Sequence, residues 1–170
     1  YTHMNCYGRG PMETYNDRHT SKCIGENSIP VKDIYEPYIR PQENNHRFNV
    51  YWYALTNMSG AGLLFVADDT FELNVSNYPI ETFDSGDDIH NAAPKTADTN
   101  HRHLTDPKQE KLVDVFIDYR MMGLGGDNSW GALPLEQYRL TPGKDKTFEY
   151  GFTLVPFGKK TEFRKLVRKY

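Results

Sequence analysis

The residues best suited to touch a ligand are Trp130 and the two polar residues, Asp127 and Asn128, that come shortly before it. Four glycines lie between positions 123 and 131, and glycine loses too much backbone entropy for such a run to form a strand or helix interior. The segment is therefore predicted to be a loop that carries a partly exposed indole. An aromatic ring held up by a loop can stack on the flat apolar face of a sugar. The competing interpretation is an indole folded back as a plug at the end of a sandwich.

Asp127 and Asn128 have two possible roles in this loop. Their side chains can bond nearby backbone groups and tolerate left-handed conformations, which favours shaping the loop over touching a ligand. A phosphate-binding loop is excluded, because no Lys-Ser/Thr pair follows the glycines and Pro134 stands where a helix would have to begin.

Few other residues suggest chemistry. His101 and His103 would lie on one side of an extended segment and could hold a metal ion, although no cysteine is near. With a carboxylate they could also act as acid and base in a sugar epimerase. Solvated histidines are the simpler interpretation, and no Ser-His-Asp or Cys-His pattern is present. The sequence predicts no catalytic residue and no metal ligand.

Composition indicates one globular unit from a larger protein. The chain has 170 residues, 20 Lys and Arg against 23 Asp and Glu, and 14% aromatic residues. This near balance of charge argues against a nucleic-acid partner or an anionic membrane, and no apolar run is long enough to span a bilayer. The chain opens on Tyr1 rather than on a methionine, so we expect a processed or truncated N-terminus.

The two cysteines, Cys6 and Cys23, decide little about the compartment. One disulfide is arithmetically possible, but two free thiols, at least one of them buried, are the preferred interpretation. Bacterial cytoplasm and periplasm both remain open.

Hydrophobic periodicity predicts an all-β fold. Alternating or continuous apolar residues occur in five segments, at 48–55, 62–67, 71–75, 113–121 and 147–154. Phe48, Val50, Trp52 and Ala54 are predicted to share one face, and Asp68-Asp69 is predicted to turn the chain between two strands. Strands at this spacing, joined by Gly, Pro and Asn turns, indicate an antiparallel β-sandwich.

Helix is predicted to be scarce. One short helix is expected at 87–93, within an irregular surface excursion from about 76 to 110, and a second in the basic tail. Residues 1–157 are expected to form the sandwich portion, and residues 158–170 a basic C-terminal extension. In that extension Phe163, Leu166, Val167 and Tyr170 fall at helical spacing, which favours a docked or frayed helix over a membrane-surface helix.

Four segments resemble one family. Residues 7–18 read YGRGPMETYNDR, residues 35–44 read YEPYIRPQEN, residues 121–132 read MMGLGGDNSWGA and residues 150–156 read YGFTLVP. In this order they resemble the last domain of the large bacterial β-galactosidases, which are family-two glycoside hydrolases. Asn45 stands where that family usually has glycine, and the basic tail departs from the family pattern.

The resemblance implies a fold and a function. The fold would be part of a supersandwich of the galactose-mutarotase type, and Trp130 would form a substrate-binding wall in an active site whose two catalytic glutamates lie on a separate, upstream β/α barrel. The parent reaction would be retaining hydrolysis of terminal β-D-galactose from β-galactosides. Magnesium and sodium would act mainly through residues outside this segment, and the partners would be the upstream barrel and sandwich domains, with a homo-oligomer possible. A stand-alone carbohydrate-binding module and a mutarotase-like epimerase are the alternatives.

Overall fold

The fold is a six-stranded antiparallel sheet with little helix. The structure, a computed structural model, describes residues 1–83, 103, 105–128 and 130–170. The strands are β1 (His3–Arg9), β2 (Ile24–Pro30), β3 (Arg47–Thr56), β4 (Gly62–Ser76), β5 (Asp114–Asp118) and β6 (Phe152–Phe157), and the tail forms α1 (Phe163–Val167). Short 3-10 turns occupy Val31–Asp33, Ile80–Phe83 and Glu136–Tyr138.

The long strand β4 organises the sheet. The strand order is β2-β1-β3-β4-β5, and β6 also pairs with β4. β6 pairs with positions 62–67 of β4 and β5 with positions 72–76, so the two short strands follow one another along the β4 edge that faces away from β3. Residues 113–121 and 147–154 were predicted as strands, and both contribute pairing residues here.

The predicted turn at Asp68-Asp69 is wrong. β4 runs without interruption through this point, and its odd-numbered residues Phe65, Phe71 and Leu73 stay on the same side of the sheet. The two aspartates are exposed because they lie between the end of β6 pairing and the start of β5 pairing. Polar residues can therefore occupy the middle of a strand without ending it, since a gap between its neighbours opens that edge to water.

The predicted common face of β3 is also wrong. Val50 packs in one apolar cluster, whereas Trp52 and Ala54 pack in the other. A register shift between Val50 and Trp52 separates them, and nearby Asn49 has a positive φ of 56°. Between the pairs that Val50 and Trp52 form with β4, β3 advances by two residues and β4 by five, and an odd register shift of this kind moves later side chains to the opposite face. The alternation in sequence is unbroken here, so it contains no sign of the bulge.

Each face of the sheet carries an apolar cluster. The first, here called the Tyr53 face, is built from Met4, Cys6, Val31, Ile34, Val50, Tyr53, Leu55, Phe65, Phe71, Leu73 and Val75. At its centre Tyr53 and Phe65, which pair directly across β3 and β4, stack with ring centroids 4.3 Å apart. The second, the Trp52 face, contains Trp52, Ala54, Leu64, Val66 and Phe157. The all-β class is confirmed, and a sheet with an apolar cluster on both faces agrees with a sandwich.

The basic tail docks onto the Trp52 face. Phe163, Leu166 and Val167 of α1 pack against that cluster, with the Phe163 ring 5.8 Å from the indole of Trp52. Arg164 also forms an exposed ion pair with Glu26 of β2 at 2.9 Å. Of the predicted alternatives for the tail, the docked helix is the one observed. No helix among the described residues is long and apolar enough to cross a bilayer.

Other local predictions have mixed outcomes. Strands β1 and β2 were not predicted. β2 (IGENSIP) escapes prediction because it is a mostly polar edge strand with apolar residues only near its ends. The helix predicted at 87–93 lies outside the described residues. Cys6 and Cys23 are free thiols, the first buried and the second exposed, as expected. Burial raises the pKa of the Cys6 thiol.

Candidate functional site

Trp130 lies on a long connection after β5. We call residues 121–135 the glycine loop. The indole is 93% exposed, so it is not a plug folded into the interior. The backbone N–H of Trp130 donates to Asn128 Oδ1 at 2.8 Å, which closes a small turn just before the indole. Asn128 thus shapes the loop, as the sequence suggested, while Asp127 is exposed.

The first residues of the glycine loop, 123–125, form its stem. They are held by two side chains from the N-terminal part of the chain. Asp17 Oδ1 accepts a hydrogen bond from the Leu124 N–H at 3.0 Å, and Asp17 Oδ2 accepts one from the Gly125 N–H at 2.8 Å. Arg18 Nη2 donates to the Gly125 carbonyl at 2.7 Å. These hydrogen bonds, here called the Asp17-Arg18 clamp, satisfy three polar backbone groups that no strand or helix would pair.

Glycine is required at two positions of the stem. A Cβ at Gly123 would lie 2.8 Å from Asp17 Oδ2 and 2.8 Å from the Tyr138 Cβ, so the clamp could not close on a larger residue. Gly125 has a φ of +68°, and its added Cβ would approach the Ala132 carbonyl to 3.1 Å. The first glycine therefore allows close approach, and the second allows a left-handed backbone.

Below the loop, a buried carboxylate fixes the point where it leaves the sheet. Glu72 of β4 is fully buried, and its Oε2 accepts the backbone N–H of Met121 at 2.7 Å. The same oxygen lies 2.6 Å from Nε2 of buried His46. The start of the glycine loop is thereby tied to β4 and, through His46, to the start of β3.

A second cluster connects the segments at 7–18 and 35–44. The Glu13 carboxylate accepts the Asn45 N–H at 3.0 Å, the Tyr15 hydroxyl at 3.3 Å and the Tyr38 hydroxyl. The hydrogen bond to Glu13, with burial second, raises the pKa of Tyr38 to about 12. Burial, followed by the charge of Glu13, raises the pKa of Tyr15. Both phenols therefore stay protonated and act as donors to Glu13.

Asn45 has a positive φ of 75°. This conformation explains in physical terms why glycine suits the position, and asparagine is one of the few other residues that tolerate it. The departure from the family pattern therefore leaves the local backbone intact.

A small cavity lies between these two clusters and under the loop. It measures about 50 Å³ and is lined by Tyr15, Glu43, His46, Asn74, Met121 and Leu124. Such a space is large enough for ordered water but far too small for a hexose, since ligand pockets measure roughly 300–1,000 Å³. A sugar would have to meet this chain at the exposed side of the loop, where Trp130 lies.

The other predicted chemistry receives no support from geometry. His101 lies outside the described residues, and His103 is exposed, with its backbone N–H bonded to Asp106 Oδ2 at 2.8 Å. Within the described ranges, no group of three or more His, Cys, Asp or Glu residues could hold a metal ion.

Sequence reasoning missed the residues that hold the loop. Asp17 and Arg18 end the motif at residues 7–18 as an adjacent acid–base pair, but the motif gives neither residue a role. Glu72 alternates with apolar residues in β4, a pattern that predicts exposure rather than the full burial observed. An available signal was the isolation of a glutamate between Phe71 and Leu73 in a strand with few other charges.

Comparison with known proteins identifies the family. The model of the β-galactosidase small chain matches residues 1–154, which include the clamp, the buried carboxylate and the glycine loop. This chain belongs to the β-galactosidase small-chain family. The β-galactosidase of Priestia megaterium (strain DSM 319 / IMG 1521) is 32% identical over 156 residues, which are 90% of this chain and 13% of that protein. The β-galactosidase of Pseudoalteromonas haloplanktis is 26% identical over 153 residues, or 90% and 12% respectively.

The Asp17-Arg18 clamp can be tested in the isolated chain. In Asp17→Asn one acceptor oxygen becomes an N–H donor that points at the loop's own N–H groups, and a hydrogen bond to a charged group contributes about 1.5–3 kcal/mol. We expect the Leu124 and Gly125 amides to exchange with deuterium faster while the strands keep their protection. The matched control is Asp33→Asn at an exposed site. Unchanged loop exchange in Asp17→Asn would show that the clamp does not order the loop.

Proposed function

We propose that this chain is the C-terminal β-sandwich portion of a β-galactosidase and that its glycine loop presents Trp130 to the galactosyl group. The observation that carries the proposal is an exposed indole on a loop whose stem is fixed by the Asp17-Arg18 clamp. Burial of so exposed an aromatic side chain against a partner would contribute about 1.5–3 kcal/mol. Family membership indicates the kind of partner, because the two relatives are β-galactosidases.

The proposed division of labour follows from the length of the chain. It spans about an eighth of the relatives that it matches. Retaining hydrolysis needs two carboxyl groups about 5–5.5 Å apart, one as nucleophile and one as acid and base. We assign both to a barrel domain elsewhere in the parent, and we assign no catalytic residue to this segment. Magnesium and sodium are likewise assigned to residues outside it.

In this arrangement the loop contributes binding and orientation. The indole of Trp130 would stack on the apolar face of galactose and exclude water from one side of the pocket. Asn128 holds the backbone of Trp130, because its Oδ1 accepts the Trp130 backbone N–H. Asp127, exposed beside it, can accept a hydrogen bond from a sugar hydroxyl. Binding of this kind raises the reaction rate when the fit improves in the transition state.

The proposal is tested by dividing the parent polypeptide. The full-length protein that contains this segment, the isolated 170-residue chain and the parent lacking the segment are each incubated with a chromogenic β-galactoside. We expect hydrolysis by the full-length protein, none by the isolated chain, and a large loss in the truncated parent. Hydrolysis by the isolated chain would overturn the claim that it is non-catalytic.

A free carbohydrate-binding module is the second candidate, since the same exposed indole could bind sugar without a barrel. Trp130 is one of only two tryptophans, and the other, Trp52, is buried. Fluorescence quenching by galactose in the isolated chain would therefore report on Trp130. Saturable quenching that disappears in Trp130→Ala would favour the binding module, whereas no quenching by the isolated chain would favour a wall that needs the barrel.

A further inference from the structure

One edge of the sheet carries large apolar side chains that the described structure covers only in part. We define the aromatic edge as Tyr119, Phe148, Tyr150, Phe152 and Leu154. The β6 register places Phe152 opposite Ala67 and Leu154 opposite Phe65, and directly paired residues point to the same side of a sheet. Phe152 and Leu154 therefore belong to the Tyr53 face, yet they remain 39% and 51% exposed.

The aromatic rings of this edge form a continuous path from the core to the surface. Phe152 lies 6.2 Å from each of the buried rings of Phe65 and Phe71. Tyr150 follows at 6.3 Å from Phe152, and Tyr119 at 6.2 Å from Tyr150. The path ends at half-exposed Phe148, 5.5 Å from Tyr119. A core that extends into solvent in this way is typical of an interface.

The side chains of β6 are covered to different extents on its two faces. On the Trp52 face, Phe157 is buried, and α1 packs over the same cluster. Within the sheet, β6 pairs with β4 alone among the described strands. Its other edge thus offers backbone N–H and C=O groups to an incoming strand.

The charged residues near one end of the aromatic edge indicate what kind of strand could bind there. Between β5 and β6 along β4, a cleft of about 860 Å³ is lined by Tyr119, Phe148 and Tyr150 together with Asp68, Asp69, Glu149 and Arg120. Three carboxylates against one guanidinium make this end acidic. A strand with apolar side chains toward Phe152 and Leu154 and basic ones toward the cleft would be complementary in both respects.

We propose that the aromatic edge is the docking surface for a β-strand from the remainder of the parent β-galactosidase. This inference rests on the proposed function. The occupant is assigned to the parent because the matched region forms only 13% and 12% of the two relatives, where a much longer polypeptide adjoins it. An added strand would pair with the free edge of β6, and its side chains on the Tyr53 face would lie against Phe152 and Leu154.

The test compares one substitution in two settings. Leu154→Lys should leave the isolated chain folded, with an unchanged circular dichroism spectrum, because a lysine stem can lie along a half-exposed site. In the full-length parent it should increase deuterium exchange at the β6 amides by about tenfold or more, because the docked strand is released. The matched control is Met58→Lys, at an apolar residue that is 93% exposed in the turn between β3 and β4. It should change neither.

Three results would be informative. Equal exchange at β6 in the isolated chain and in the unsubstituted parent would overturn the proposal. A dimer of the isolated chain that Leu154→Lys disperses, with no added protection in the parent, would replace the proposal with self-association. The proposed function fails separately, if Trp130→Ala leaves activity intact while β6 remains protected in the parent.

Discussion

Trp130→Ala should lower kcat/KM of the full-length parent for a β-galactoside roughly tenfold to a hundredfold, the effect of removing about 1.5–3 kcal/mol of aromatic burial against the sugar. The same substitution should leave the unfolding midpoint of the isolated chain unchanged, because the indole is 93% exposed. Few substitutions of tryptophan are expected to separate activity from stability so cleanly. Steady-state kinetics and thermal unfolding measure the two effects.

The control for this experiment is the other tryptophan. Trp52 is buried on the sheet and contacts Phe163 of α1, so Trp52→Ala should destabilise the isolated chain by about 3–5 kcal/mol. Trp130→Phe should recover part of the lost activity, because a smaller ring can still stack. A parent enzyme whose kcat/KM is unaffected by Trp130→Ala would contradict the substrate-wall role.

Glu72→Ala should also have a large effect on stability. Loss of the carboxylate leaves the Met121 N–H and His46 Nε2 without their acceptor in a buried site, and each unsatisfied group costs about 1–3 kcal/mol. We expect the free energy of unfolding to fall by about 3–5 kcal/mol. Urea unfolding followed by circular dichroism measures the loss.

Two further variants test the reason for that loss. Glu72→Gln keeps an acceptor oxygen and should cost less than Glu72→Ala. Glu162→Ala removes an exposed glutamate that pairs with Lys165 at the surface, and surface pairs of this kind contribute little. Equal stability in Glu72→Ala and Glu162→Ala would show that the buried hydrogen bonds do not anchor the loop.

The sequence predicted the class of the fold because class depends on composition and periodicity, and both are strong here. It failed at Asp68-Asp69 because two adjacent aspartates normally indicate a turn, whereas here they lie in a gap between β5 and β6. That gap depends on residues about 50 and 85 positions later in the chain. The bulge at Val50 was missed for a related reason, since a bulge changes the face of a side chain without changing the alternation of residue types.

The candidate site was only partly predictable. Trp130 could be selected from its own surroundings, because four glycines mark a loop and an aromatic residue at its end is unusual. Asp17, Arg18 and Glu72 could not be selected in that way. Each acts on a backbone group far away in sequence, and one-dimensional patterns report neighbours along the chain rather than neighbours in space.

The Asp17-Arg18 clamp joins positions 107 and 108 residues apart, and this separation has a kinetic consequence. A contact that closes so long a loop of chain contributes no stabilisation until the intervening strands have assembled. The segment that displays the indole should therefore order last when the polypeptide refolds and loosen first on heating, so that the indole loses its fixed position while the sheet is still intact.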